Sequence, residues 1–217
     1  NKFEVYIPSK NKTVEFTPIS VKQHKDILKT NDNVLLTTFQ FNININDMIL
    51  TNIVDCNDLL ISDKASVVLS IKANQTSGNN IKVQIDNESH EVDINKQVET
   101  FKHINTPKRL MTRAISLNNL KVKCKIPSLQ YDNAINKEII NKLKSKKTDM
   151  LTDSMGEIFV YEILKFIDSI DTGSTPITFN ELSFDQKVQV CEMIPLELSN
   201  KIIEYIKPAI PHIDYLS

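Results

Sequence analysis

Phe3, Val5 and Ile7 alternate with polar residues, Pro8-Ser9-Lys10-Asn11 gathers turn formers, and Val14 and Phe16 then flank Glu15. Period-2 alternation on both sides of a turn predicts an N-terminal β-hairpin. Pro18 ends the second strand, because it lacks an N–H and holds Thr17 extended. Ser20-Val21-Lys22-Gln23 fits a capping box, in which the serine hydroxyl accepts from the Gln23 N–H and the Gln23 side chain reaches back. Val21, His24, Ile27 and Leu28 follow at one-face helical spacing, which places Phe16, Val21 and Leu28 in the core.

Asn31-Asp32-Asn33 ends that helix and can cap a second one over Val34–Phe39, whereas Phe41 to Asn46 alternates like a strand and leaves that segment ambiguous. Asp47–Val54 reads as helix and Asp55–Asp58 as loop. Ser62 is the expected cap of the next helix, with Asp63 in its first turn, and fraying is expected near Asn74. Ser77-Gly78-Asn79-Asn80 then turns the chain into a strand, Ile81–Ile85, and Asp86–Ser89 returns it as His90–Ile94. Val98–Ile104, Arg109–Ile115 and Leu120–Ile126 read as further strands, which short connections would assemble into a small antiparallel sheet.

Past Pro127 the pattern turns helical. Ile135, Ile139, Ile140 and Leu143 share one side of Asn133–Lys147. Asp153 or Ser154 caps a long helix, with Ile158, Val160, Tyr161, Ile163, Leu164, Phe166 and Ile167 forming a band wide enough to be buried on more than one side. Asp171–Pro176 is a loop of turn formers. Ser183-Phe184-Asp185-Gln186 is a second capping box for a helix to Met193, and Pro195 opens a last helix that Pro208 ends. The expected fold class is α+β: an N-terminal β-hairpin, helices and a small antiparallel sheet, then an α-helical C-terminal part. The expected domains are residues 1–130, α+β, and 131–217, α-helical.

Composition narrows the function without naming it. The 217 residues are 41 % apolar and 24 % charged, values of an ordinary globular chain. A net charge of −1 exerts no general pull on nucleic acid or anionic lipid. Cys56, Cys124 and Cys191 are far apart, so three buried thiols in a reducing compartment are expected. No apolar run reaches the roughly 20 residues of a membrane span, and NKFEVYIPS has no h-region, so neither a span nor a signal peptide is expected. Gly78, Gly156 and Gly173 are isolated, unlike the clustered glycines of a phosphate-cradling loop.

No residue pattern assembles chemistry. His24, His90, His103 and His212 have no metal-ligand spacing. Asp55 with Asp58, and Asp168 with Asp171, fit loop and helix ends better than acid–base pairs, and Asp86-Asn87-Glu88 lacks the further ligands of a calcium loop. The expected catalytic, cofactor and metal residues are therefore none. Two basic clusters remain. Lys121, Lys123 and Lys125 would face one side of a strand, where they could touch phosphate or block a sheet edge. Lys142, Lys144, Lys146 and Lys147 end a helix and complement its dipole. Ile206, Ala209, Ile210, Ile213, Tyr215 and Leu216 make an apolar C-terminal tail that should pack on its own domain or on a partner.

Four blocks, in order, resemble a known family. They are Val14-Glu15-Phe16-Thr17-Pro18-Ile19-Ser20-Val21-Lys22; Leu59–Val83, a helix passing through Ser77-Gly78 into a strand; Asn119–Ser128, a strand ending in Pro127-Ser128; and Ile163–Ile170 with the two closing helices through Pro208. Together the chain resembles the T4-type bacteriophage baseplate hub subunit and hub assembly protein family. Thr17 stands where many members have arginine, and Gln23 and His24 where they have acidic residues. Asn74, Gln75 and Asn79 occupy positions where some members carry paired cysteines, so no metal is inferred.

The resemblance implies a non-enzymatic structural or assembly component of the central hub of a contractile tail. It would have no cofactor, and its partners would be other hub or wedge proteins, with self-association a further option. It would reside in the virion tail baseplate and assemble in the host bacterial cytoplasm. A transient assembly chaperone absent from the mature virion is one alternative. A nucleic-acid-binding module using the Lys121–Lys125 strand is another, although neither nucleic acid nor a membrane is the expected partner.

Overall fold

The computed structural model describes residues 2–30, 33–75, 80–103, 112–145 and 151–209. The expected turn at 77–79, Arg109, Lys146, Lys147, His212 and the apolar tail from Ile210 lie outside them. The fold is α+β. In chain order it comprises β1 (Phe3–Ile7), β2 (Lys12–Phe16), α1 (Val21–Ile27), α2 (Val34–Asn52), α3 (Lys64–Gln75), β3 (Asn80–Ile85), β4 (Glu88–Asp93) and α4 (Ile94–His103). There follow β5 (Thr112–Leu117), β6 (Leu120–Lys125), α5 (Leu129–Ser145), α6 (Leu151–Leu164), β7 (Ile167–Asp171), β8 (Ile177–Thr178), α7 (Phe184–Glu192) and α8 (Leu196–Ala209).

Two hairpins, β1–β2 and β3–β4, stand apart from a four-stranded antiparallel meander, β5-β6-β7-β8. The meander joins segments on either side of residue 130, since Val122 pairs with Ile170. Its inner face carries Ile115, Val122, Cys124, Ile167 and Ile170, packed with Ile139, Leu164, Ile202 and Tyr205. A second core gathers Val5, Ile7 and Phe16 of the first hairpin with Met48, Ile49, Leu59 and Val67. A third, small core holds Tyr6, Leu69, Ile94 and Phe101. Helix α2 links the first two, placing Phe39 and Ile43 in one and Ile45, Met48 and Ile49 in the other.

The N-terminal expectations hold in outline. The hairpin pairs Phe3 with Phe16 and Val5 with Val14. Ser20 and Gln23 form the full capping box, and Ser183 and Gln186 form the second. Phe16 is fully buried. Val21 and Leu28, expected in the core, are instead 80 % and 63 % exposed. Helix α1 is held by polar contacts: Gln23 Nε2 donates to Asn52 Oδ1 and Asn44 Nδ2 donates to the Asp26 carbonyl. Val21 and Leu28 are therefore free to face outward, while Ile27 packs against the second core.

One ambiguous segment resolves, and three further expectations are corrected. The segment 41–46 is helix, because α2 runs unbroken from an Asn33 side chain that accepts from Leu35 N and Leu36 N. Its helical period completes only if Asn46 counts as an inward residue, and Asn46 is buried. Val98–Ile104, expected as strand, lies in α4 as far as His103, where Ile94, Gln97 and Phe101 are the buried residues; the inward glutamine conceals the spacing. Ile167, expected in a long helix, begins β7, which missed detection because it follows α6 with no glycine or proline break. There the Phe166 carbonyl accepts from Lys125 N, and β6 supplies a strand partner. Asp153 and Ser154, proposed as caps, fall inside α6.

Asp63 rather than Ser62 organises the start of α3. Its buried carboxylate accepts from Ser9 N at 2.8 Å, Ser9 Oγ at 2.7 Å and Leu60 N at 2.9 Å, tying the first hairpin to this turn. The Ser62 hydroxyl is buried and, among the described residues, has no hydrogen-bond partner. Burial pushes the Asp63 carboxyl above its ordinary value of 3.8, outweighing the hydrogen bonds that pull it down. The folded state then binds this proton more tightly than the unfolded chain. Its contribution is complete below pH 3.8 and is lost as pH rises through the higher folded value. The gap in urea midpoint between wild type and Asp63→Ala should therefore narrow as pH climbs through that window. A gap that widens would contradict the assignment.

Candidate interaction surface

The described histidines that sequence patterns single out lie on separate elements. His24, His90 and His103 sit on α1, β4 and α4 respectively. Among the described residues no group of three His, Cys, Asp or Glu could hold a metal ion. Asp55 and Asp58 adopt left-handed backbone at φ 52° and 54°, a conformation that aspartate tolerates in turns. Asp171 accepts from Gly173 N at 2.8 Å and closes a turn in which Gly173 itself has φ 90°. Cys56, Cys124 and Cys191 are buried and unpaired. Burial pushes the thiols of Cys124 and Cys191 up to about 12, so neither is a thiolate near neutrality.

The strand lysines line the outer face of the meander, as alternation requires, while Val122 and Cys124 point inward. Asp168 receives two of them: Lys123 Nζ at 3.2 Å and Lys125 Nζ at 3.4 Å. One of the three positive charges that would attract a phosphate backbone is thereby balanced within the chain. At the end of α5, Lys142 pairs with Asp185 of α7 at 2.7 Å.

The densest polar assembly was invisible to motif reading. Where α2, α5 and α6 meet, Lys165 Nζ lies 3.1 Å from Asp132 Oδ1, 2.7 Å from Asn136 Oδ1 and 2.9 Å from Glu162 Oε1. Asn46 Nδ2 donates to Asp132 Oδ2 at 2.8 Å and to Asn133 Oδ1 at 2.9 Å. Asn136 Nδ2 also donates to Asp132 Oδ2, and Asn133 Nδ2 to Asp47 Oδ1. Lysine and aspartate side chains here are 5 % and 7 % exposed. The one available signal was Lys165 itself, a cation between Leu164 and Phe166 in an otherwise apolar run.

This network floors a cavity of about 420 Å³ between α2, α3 and the end of α6. Phe41, Ile45, Ile61, Ala65 and Val68 supply apolar walls, and Lys64, Lys165, Asp132 and Glu162 the polar side. Burial pushes the Lys64 ammonium below its ordinary pKa, and Asp132, 3.9 Å away, partly restores it. Phe41 is 44 % exposed at the rim. Elsewhere Val21, Leu28 and Val34 stand out from the α1–α2 region, and Met193 and Leu196 from the turn between α7 and α8. Exposed large apolar side chains beside a preformed cavity are features of surfaces that bind other proteins.

A sequence profile of the family described as T4 bacteriophage base plate protein matches residues 1–215. The chain belongs to that family. No curated protein and no solved structure matches it. For a baseplate protein, apolar surface patches and charges paired within the chain are consistent with a structural part whose partners are proteins. Among the described residues of this baseplate protein, no helix is long and apolar enough to cross a membrane.

Proposed function

We propose that this baseplate protein is a non-enzymatic structural or assembly component of the central hub of a contractile tail, working through contacts with other hub or wedge proteins in the virion. Membership of the baseplate family over residues 1–215 carries this reading. The outward Phe41, Met193 and Leu196 support it, as does the internal pairing of Lys123 and Lys125. An interface of ordinary size would bury on the order of 1,600 Å².

Mass spectrometry of purified particles separates a retained subunit from a chaperone that leaves. The chain should be present, and its absence would remove the retained-subunit version. Affinity capture from infected cells should recover an identified hub or wedge protein. If the rim of the cavity is used, Phe41→Glu should weaken that capture by about 2 kcal/mol, roughly thirty-fold. The unfolding midpoint should stay close to wild type, because Phe41 is already half in solvent. Unchanged capture by the variant would exclude this rim.

A further inference from the structure

Lys125 at the end of β6, Tyr131 on α5 and Lys187 on α7 meet around one aromatic ring. The Lys125 and Lys187 ammonium groups lie 4.8 Å and 5.2 Å from the Tyr131 centroid. Lys125 also has Asp168 at 3.4 Å and Asn180 Oδ1 at 3.1 Å. Lys187 differs. It is 7 % exposed and, among the described residues, has no hydrogen-bond or ion-pair partner. Lys125 repels it and Glu138 attracts it weakly, while burial pushes its pKa down. The Tyr131 hydroxyl is buried and, among the described residues, has no hydrogen-bond partner.

An ammonium on a buried stem, with no hydrogen-bond or ion-pair partner among the described residues, has only the ring quadrupole and a weak attraction to Glu138 to offset the repulsion of Lys125. Two ammonium groups beside one ring, only one of them paired with a carboxylate, leave a place for one further negative charge, such as a carboxylate. Asp168 beside Lys125 opposes a dianion such as phosphate more than a single carboxylate. The helix that carries Lys187 ends at a turn where Met193 and Leu196 are 80 % and 70 % exposed, apolar surface of the kind found in protein contacts.

We propose that Lys187 and Lys125, gathered around Tyr131, accept a carboxylate presented by an acidic segment of a partner protein. This rests on the reading of the chain as a protein-contact component, and it names one place and one chemistry for that contact.

The test uses the full chain with a fluorescent, end-capped hexaglutamate peptide and, separately, inorganic phosphate. Wild type should bind the peptide in a salt-sensitive manner. Lys187→Met should weaken binding at least tenfold, Lys187→Arg should retain most of it, and Lys22→Met on the remote face of α1 should not change it. Without peptide, Lys187→Met should unfold at the same or a higher midpoint than wild type, because the substitution removes no hydrogen bond or ion pair found among the described residues and ends the repulsion from Lys125. No peptide binding by wild type, equal binding by Lys187→Met, or a lowered midpoint in that variant would each overturn the proposal. Phosphate binding that depends on Lys187 while the peptide does not bind would overturn it in favour of a phosphate ligand. Capture of baseplate proteins reports separately on the hub reading. Loss of capture with intact Lys187-dependent peptide binding would remove that reading and leave the site standing.

Discussion

Replacing Lys165 by methionine is expected to destabilise the fold by about 3–5 kcal/mol, the range for removing one partner of a buried ion pair. Methionine keeps most of the stem volume, so the loss isolates the charge. Asp132 would remain 7 % exposed with Lys64 3.9 Å away and the Asn46 and Asn136 amides as its donors. Asn136 Oδ1 would also lose the donor now 2.7 Å from it. Urea unfolding measures the effect. Adding Asp132→Asn should recover part of it, because an amide does not demand a counter-ion, and the two changes should couple by about 0.5–3 kcal/mol. A loss below about 1 kcal/mol that is additive with Asp132→Asn would show that the network contributes little.

Phe16→Ala should cost about 3–5 kcal/mol, the usual range for truncating a fully buried phenylalanine. Phe16 is completely buried, stacks obliquely on Phe3 with centroids 5.4 Å apart, and bridges to Ile53. On either side of it the Glu15 carbonyl accepts from Val54 N and Thr17 N donates to the Asn52 carbonyl. The side chain therefore seals the junction between the first hairpin and the end of α2, and a cavity there cannot collapse without disturbing both. Equilibrium unfolding is the measurement. Val21→Ala, five residues on and 80 % exposed, should fall within about 0.5 kcal/mol of wild type. Comparable losses for the two would refute the burial contrast.

That contrast marks where reading the chain by itself succeeds. Phe16 was legible because strand alternation and the proline after it depend on neighbouring residues alone. The capping boxes at Ser20 and Ser183 were legible for the same reason. Val21 was misjudged because α1 docks by Gln23 and Asn44, and side-chain amides carry no periodic signature. Asn46 and Gln97 hid the periods of α2 and α4, since a polar residue at an inward position is explained only by a distant partner or local burial. Strand β7 needed β6 as a partner more than forty residues earlier in the chain.

The same division applies to the interaction surface. Three lysines on one side of β6 were foreseen from alternation; that Asp168 claims two of them was not. Lys165, Asp132 and Lys187 carry no motif, because their meaning lies in which charges the packed helices bring within 3 to 5 Å. The sequence by itself determined the α+β class, the hairpin, the two capping boxes and the family, all of which rest on local pattern or ordered blocks. Only the tertiary structure decided which polar side chains are buried, which apolar ones face outward and which ammonium lacks a partner. Those properties arise from pairings between distant segments, and no local spacing encodes them.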